Sequence, residues 1–515
     1  DQKTFDLLKR GETVGVFQLE SSGMRDLVRR VDVTHVDHLT AMIALYRPGP
    51  MKMLDPYVDR KLGRVPVEYE HALLEPILEE TYGVMVYQEQ VQRASNVLAG
   101  FSLGQGDVLR RAMGKKKPEE MKALKEDFVK GCMETNGIAA AKAANIFDTL
   151  EKFAGYGFNK SHSAAYAIIC YQTAYLKANY TAEFMSALLS CDIGNADKLN
   201  IFVNEARNIG IEIRPPDVNE SSVRFRPVSG AIRFGLAGIK NVGEGASQEI
   251  VRERDRGGPY SGLMDLCSRL DGQQVNKKVL ESLVRSGAFD SMGAHRARVF
   301  NGIDFAIQRT VAAARDRAAG QASLFDLIDD DEAVINEDEI VDCDPWGESE
   351  LLAAEKELLG LYMSGHPLAR YEDLLKTYQM NTVQDLAAAD DHSLTRIGGI
   401  ISEVRLRVTK KGQESMAIVQ LADLDGTVEV VVFPEPFKQF AQHLTADTVV
   451  LVCGEIILKE EEEPKIHARE IYPLLDAPKM FTKHIGIRVP SARSENGMLQ
   501  KVKDLLRIHP GPIPV

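Results

Sequence analysis

At 515 residues the chain is too long to fold around a single core, and three or four domains are expected. Hydrophobic residues make up 44%, no apolar run is long enough to span a bilayer, and no charged-then-apolar leader opens the chain. Membrane and secreted classes are therefore set aside, and a cytoplasmic location is expected. The six cysteines are scattered without a Cys-x-x-Cys pair, which excludes a standard zinc knuckle and fits reduced thiols.

The net charge of −13 argues against a nucleic-acid partner only as an average. Asp326 to Asp342 holds nine acids and no base, whereas Arg110 to Lys117 holds five cations and no acid. The distribution of charge carries more information than its sum. Both ends, Asp1-Gln-Lys-Thr and Pro-Gly-Pro-Ile-Pro-Val515, read as cuts within a longer protein.

Residues 1–30 read as helix, turn, helix. A further helix over Val33–Leu45 stops at Arg47-Pro-Gly-Pro50, because Pro48 biases Arg47 away from the α region. Arg47 is either part of a rigid loop or a functional group. Thr81 to Gln90 is a strand-like run entering a helix. Its Gln88, Glu89 and Gln92 have the pattern of a solvated face. In Gly106 to Lys117, Asp107 is placed to cap a short helix over Val108–Met113, with Gly114 as its stop. Arg110, Arg111, Lys115, Lys116 and Lys117 form either a solvated basic turn or a clamp on phosphates. Arginine forks suit phosphate oxygens and lysines supply point charge.

After amphipathic helices over 119–152 comes Gly155-Tyr-Gly-Phe-Asn-Lys-Ser-His-Ser-Ala-Ala-Tyr166. Asn159 or Ser161 can cap a helix that reads as buried from Ala164 to Ala174. Lys160 and His162 would stand at its positive start, a place suited to a phosphate or to nothing more than a helix entry. Helices continue over 182–210, Pro215 to Asn219 is a break, and Phe225–Gly235 reads as a β-hairpin. Gly238-Ile-Lys-Asn-Val-Gly-Glu-Gly245 resembles a helix–hairpin–helix. In it Gly243 and Gly245 would form the tight turn and Lys240 would lie beside a DNA phosphate.

Helices run to about Ala319. Gln321-Ala-Ser-Leu-Phe325 then offers one amide and two apolar plugs, Leu324 and Phe325, ahead of an acidic linker. Trp346 to Met363 is helical, and His366 reads as structural. From Leu394 the period changes to two. Five strands follow, with a helix between the third and fourth, which is the layout of an OB-fold. Arg405, Arg407, Lys410 and Lys411 supply its charge, but aromatics are sparse, so weak single-strand binding is expected. A strand at His484–Val489 and a helix at Asn496–Ile508 begin a further small α/β domain.

Several of these phrases are similar, in order, to those of the bacterial C-family DNA polymerases, the polymerase III alpha-subunit family. They are Ala44-Leu-Tyr-Arg-Pro-Gly-Pro50, Tyr82-Gly-Val-Met-Val-Tyr-Gln-Glu-Gln90, Leu109-Arg-Arg-Ala-Met-Gly-Lys-Lys116, Gly155 to Tyr166 and Glu355 to Leu368. The resemblance implies a multidomain chain. Residues 1–235 would be helical fingers, 236–319 a helix–hairpin–helix with a helical extension, and 320–393 a clamp-binding motif, acidic linker and helices. Residues 394–475 would be a five-stranded OB-fold barrel, and 476–515 the start of a partner-binding domain.

The resemblance also implies roles. Arg47, Arg110, Arg111, Lys160, Ser161 and His162 would meet the incoming nucleotide. Lys115–Lys117, Lys240, Gly243, Gly245, Arg405, Arg407, Lys410 and Lys411 would meet DNA. Gln321, Leu324 and Phe325 would dock on a sliding clamp. Primed DNA, deoxynucleoside triphosphates, the clamp, a clamp loader and a proofreading subunit are the implied partners, and Mg2+ is the implied cofactor of the complete enzyme. The family's palm Asp-x-Asp pair has no counterpart here, so this stretch alone is expected to bind without polymerising. The alternative is a non-catalytic DNA-binding protein built from a helix–hairpin–helix and an OB-fold.

Overall fold

The computed structural model describes residues 1–115, 118–154, 156–318, 340–409, 414–424, 426–459, 464–484 and 498–508. Side chains at 113–115, 118–120, 154, 197, 313, 314, 316–318, 387, 498 and 499 are not described. The chain forms two compact units, Asp1–Cys343 and Asp344–Val515.

The first unit is mainly helical, and its N-terminal part has two apolar cores. One gathers the helices Gln2–Arg10, Ser22–Val31 and Val36–Leu45 against the long helix Lys160–Asn179. The other gathers Gln88–Ala99, Leu103–Lys115, Pro118–Asn136 and Ala140–Ala154. An extended segment lies between them. Val84, Val86 and Tyr87 enter the first core and Met85 enters the second. Successive side chains of extended backbone point to opposite sides, which parts Met85 from Val84 and Val86; Tyr87, at the start of the following helix, leaves the alternation.

The helix Lys160–Asn179 is longer than its sequence pattern suggests, and it is buried on one face only. Ala167, Cys170, Ala174 and Lys177 face inward, whereas Ile168, Ile169, Tyr175 and Leu176 are exposed. The expectation of a buried Ala164–Ala174 run is corrected accordingly: one-sided packing follows the 3.6-residue period, however apolar the run is as a whole. Lys177 is fully buried, and its Nζ donates to the carbonyls of Glu12 and Val14 at 2.8 Å. It also meets Glu205 Oε1 at 2.5 Å, a carboxylate from the helix Ala196–Asn208. Burial pushes the ammonium down from its ordinary value and the Glu205 charge opposes this.

Further along, Arg226–Val228 and Ala231–Arg233 pair as the expected hairpin, joined in parallel by Ile213–Arg214. The helices Glu244–Gly257, Leu263–Arg269 and Lys277–Arg285 follow.

The second unit contains a closed five-stranded barrel. Its strands are Leu394–Val408, Ser415–Ala422, Thr427–Val432, Val449–Ile457 and Lys465–Pro473. The spatial order is first, second, third, fifth, fourth, and the third and fifth run parallel. The first strand pairs with the fourth through Leu394–Ile400 and with the second through Ile400–Val408, with a register shift between Ile401 and Glu403. One long strand therefore serves two neighbours, which closes the sheet. At Gly399 a Cβ would lie 2.7 Å from the Ala422 carbonyl oxygen, so this crossing needs glycine. The expected helix between the third and fourth strands is Pro434–Phe440. Residues 485–489 of the expected later strand lie outside the described residues, and the expected helix beyond it is Met498–Ile508.

His38, buried in the Val36–Leu45 helix, accepts the Thr34 N–H at Nδ1 (3.2 Å) and lies 2.9 Å from the Tyr82 hydroxyl at Nε2. That accepting Nδ1 fixes a neutral ring, and burial, with Lys61 beside it, holds its pKa down to about 4 from 6.5. Between those values the unfolded chain takes up a proton that the folded one refuses, so stability falls as pH falls through this window. Urea unfolding is expected to show about 1–3 kcal/mol less acid loss in His38→Gln than in the unsubstituted chain. Identical pH profiles for the two would refute the assignment.

Candidate nucleotide and nucleic-acid interface

The phosphate-clamp candidates come together where the extended segment meets the Gly155–Tyr166 motif. The Phe158 N–H donates to Val86 O at 3.2 Å, and the Gln88 N–H donates to Phe158 O at 2.9 Å. Tyr87 and Phe158 thus form a one-residue parallel bridge. Gln88 extends it: its Nε2 donates to Gly157 O at 3.0 Å, and its Oε1 accepts from Arg110 Nη1 at 3.2 Å. Glu89 follows, and both its carboxylate oxygens accept the Lys160 N–H, at 3.1 and 3.0 Å. The first turn of Gln88–Ala99 therefore connects the arginine-bearing helix to the motif helix.

Gln90 holds this turn in place from below. Its Oε1 accepts the N–H groups of Val86 and Tyr87 at 2.8 and 2.9 Å, and its Nε2 donates to Thr81 Oγ1 at 2.8 Å. It is 3% exposed, so this glutamine belongs to the interior although it stands beside Gln88 and Glu89 in the same turn. An extended segment whose donors find no strand partner needs a buried acceptor, and the Gln90 amide supplies it.

The arginine-bearing helix runs Leu103–Lys115. Ser102 begins it: Ser102 Oγ accepts from Gln105 N, and Gln105 Oε1 accepts from Ser102 N. This reciprocal pair overrides the expected cap at Asp107, and Gly114 does not end the helix. Asp107 instead lies one turn in and faces both arginines. Its Oδ1 accepts from Arg110 Nε (3.0 Å) and Nη2 (2.8 Å), and its Oδ2 accepts from Arg111 Nε (2.8 Å). The Arg110 contact, with both guanidinium charges, holds the Asp107 carboxyl below its ordinary range. Arg111 is 66% exposed and Arg110 27%. Lys116 and Lys117 lie outside the described residues, as does the Lys115 side chain.

Asn159 caps the motif helix through its side chain, which accepts from His162 N at 2.9 Å; Ser161 is exposed and does not cap. Lys160 Nζ meets Glu80 Oε2 at 2.5 Å and lies 5.4 Å from the Tyr87 ring centre. His162 is exposed and stacked, with ring centres 4.4 Å from Tyr166 and 5.4 Å from Phe158. Tyr166 in turn meets Phe17 at 5.3 Å. Arg47 lies 4.2 Å over the Phe158 ring and donates to Ala44 O and Tyr156 O. Burial pushes its guanidinium down from the ordinary value. Its geometry fastens the Arg47–Pro50 loop to the motif.

In the hairpin near residue 240 the tight turn is made by Asn241, in the left-handed region at φ 73°, and not by the glycines. A 3-10 turn, Leu236–Gly238, stands where a preceding helix was expected. Gly243 caps Glu244–Gly257 with φ −50°, and a Cβ at Gly243 or Gly245 would meet nothing within 4 Å. Open space above helix-start amides lets another backbone approach. Lys240 is exposed, while Ile239 and Ile250 are buried as their apolar positions suggest.

On the barrel, Arg405 forms a two-point pair with Glu403 at 2.7 and 2.6 Å, and Arg407 is exposed. Lys410 and Lys411 lie outside the described residues, as do Gln321, Leu324 and Phe325. One aromatic pair carries no local signal in the sequence: exposed Phe433 with half-buried His467, ring centres 4.9 Å apart. Among the described residues no group of three or more His, Cys, Asp or Glu side chains is arranged to hold a metal ion. No helix there is long and apolar enough to cross a membrane.

A helical body followed by a hairpin module and a closed OB-type barrel defines a multidomain chain of nucleic-acid-binding modules. Family models match in the same order: the bacterial DNA polymerase III alpha subunit finger domain over residues 1–136, the helix-hairpin-helix motif over 210–299 and the OB-fold nucleic acid binding domain over 395–474. The DNA polymerase III subunit alpha of Escherichia coli (strain K12) is 40% identical over 526 residues, covering 100% of this chain and 45% of the relative. That of Thermus aquaticus is 42% identical over 527 residues, covering 100% and 42%. That of Haemophilus influenzae is 39% identical over 525 residues, covering 100% and 45%. The chain is thus similar along its whole length to DNA polymerase III alpha subunits, and it spans 42–45% of the length of these relatives.

Proposed function

We propose that the chain is the nucleotide- and template-gripping part of a DNA-directed DNA polymerase. This enzyme would extend a primed strand from deoxynucleoside triphosphates and release pyrophosphate in the cytoplasm. The observation that carries the proposal is the joining of Arg110 and Lys160, 50 residues apart in sequence, through Gln88 and Glu89. In phosphoryl transfer little covalent work falls to the protein, and positioning plus charge stabilisation carries catalysis. Arg111, with its guanidinium mostly in solvent, offers a fork to phosphate oxygens, and Lys160 offers a point charge. Ser161 and the stacked His162 ring follow Lys160 in the first turn of its helix, where the ring would bound the sugar. Arg47 acts through the motif it fastens.

Mg2+ would assist the complete enzyme, but among the described residues no cluster of acids is arranged to hold it. Nucleotide and template grip is assigned to residues 1–235 and phosphate contact to the hairpin at Lys240, Gly243 and Gly245. Lys115–Lys117 and the barrel cations Arg405, Arg407, Lys410 and Lys411 would follow the DNA backbone. The non-catalytic reading is disfavoured because it leaves the finger-domain match unexplained.

In the full polymerase, Arg111→Ala is expected to lower kcat/KM for nucleotide about 10-fold or more. An unchanged value would sink the triphosphate role. His162→Ala is expected to increase ribonucleotide incorporation, and unaltered sugar discrimination would remove the steric role from that ring.

Gln321-Ala-Ser-Leu-Phe325 is assigned to a sliding clamp, with clamp-loader and proofreading subunits as further partners. Burying Leu324 and Phe325 yields roughly 3–6 kcal/mol before ordering costs, a weak contact that tethering to DNA strengthens. Replacing both by alanine should abolish clamp binding and long-product synthesis while sparing short, clamp-free extension. Retained clamp affinity with a lowered Tm would instead place the pair in the core.

A further inference from the structure

Each cation of the phosphate wall is already engaged by a carboxylate of the same chain. Asp107 takes Arg110 and Arg111, Glu80 takes the Lys160 ammonium, and Glu89 takes the Lys160 N–H. These three acids are not equivalent. Asp107 is one helical turn from its arginines and holds both through Nε, so it aims them and leaves the Arg111 fork facing solvent. Glu89 accepts a main-chain N–H with both oxygens and joins two helices. Glu80 differs: it comes from a separate turn, Glu79–Thr81, and touches Lys160 at one point. Both side chains are more than one-third exposed, at 38% and 37%.

The Glu80 backbone is nevertheless held in place. Gln90 Nε2 binds the neighbouring Thr81 Oγ1, and the Gly83 N–H closes the turn on Leu78 O. The carboxylate is thus presented to Lys160 from a fixed turn, with solvent on its other side. An exposed single-point pair between separate elements is weak and yields to a stronger anion, whereas Asp107, held two-point by Arg110 within its own helix, and the main-chain contact of Glu89 stay in place.

We propose that Glu80 is a displaceable counter-ion that occupies the Lys160 ammonium until a polyphosphate takes its place, and so sets the affinity of this wall. Asp107 and Glu89 remain as positioning residues. This rests on the reading of Arg111 and Lys160 as phosphate contacts. A polyphosphate reaches several cations at once and recovers what it spends in displacing Glu80, while a single small anion does not. The Lys160 ammonium rests against Glu80, 5.4 Å from the Tyr87 ring centre.

The probe is inorganic tripolyphosphate, titrated into the 515-residue chain by calorimetry at low salt. Glu80→Gln is expected to tighten binding about 3- to 10-fold, with the gain fading as salt is raised. Lys160→Ala is expected to weaken binding, and adding Glu80→Gln to it should restore little, because the gain passes through Lys160. Asp107→Asn, which loosens the arginines, is expected to weaken binding. A melting curve checks each variant, and Glu80→Ala replaces Glu80→Gln if the latter fails to fold.

The proposal is overturned if Glu80→Gln leaves affinity unchanged or lowers it while Lys160→Ala still weakens binding. It is also overturned if the gain persists without Lys160, which would mark a general effect of surface charge. Insensitivity to both Arg111→Ala and Lys160→Ala would remove the phosphate wall itself, a result distinct from failure at Glu80 alone.

Discussion

The helical unit depends on the pairing of the extended Val84–Tyr87 segment with Phe158. Two main-chain hydrogen bonds fasten it, Phe158 N to Val86 O and Gln88 N to Phe158 O. The pairing is too short to be a sheet, and it survives because packing fixes both sides. Val86 and Tyr87 are anchored in one core, Met85 in the other, and Phe158 lies against the first. A two-strand contact of this size would not hold in water alone. Its donors that lack a strand partner turn to Gln90, whose buried amide completes the count.

From that bridge the electrostatics of the site follow. The chain leaves it into two helix starts, at Gln88 and at Lys160, and both bring side chains to the same place. A helix start carries free N–H groups and a partial positive charge, so acids gather there. Glu89 fills this role at the motif helix, and beside it the neutral Asn159 side chain caps a further amide. The phosphate expected at this helix start therefore meets a position whose first amide is already bonded. Room for an anion lies further out, around the Lys160 ammonium and the exposed Arg111 fork.

The barrel is legible in the sequence almost strand by strand, because the period-two alternation of its inward residues is local and repeats five times. The motif helix is legible at its start, where Asn159 caps, but not in its burial, since Ile168 and Ile169 look like core residues and face outward. At Asp107 two local signals compete for the cap. The Ser102–Gln105 exchange satisfies two backbone donors at once, and a lone aspartate satisfies fewer. Asn241 is hidden for a similar reason: the glycines nearby are the stronger turn signal, while asparagine also tolerates the left-handed region. Nothing local distinguishes Gln90 from Gln88 or Gln92. Only the tertiary placement of the extended segment makes Gln90 a buried acceptor.

Glu80 shows most clearly what sequence cannot supply. It lies 80 residues before Lys160 in a turn with another glutamate beside it, and exposed acids in such turns are usually solvated. What singles it out is the chain path. Gln90 fixes the turn through Thr81, the bridge fixes Phe158, and the cap at Asn159 starts the helix one residue later. Lys160 then emerges opposite Glu80 without either residue having any local preference for the other. The same few main-chain and amide hydrogen bonds that join the two cores thus decide which acid faces the ammonium. A change at the bridge would alter charge pairing at the site before it altered the helices themselves.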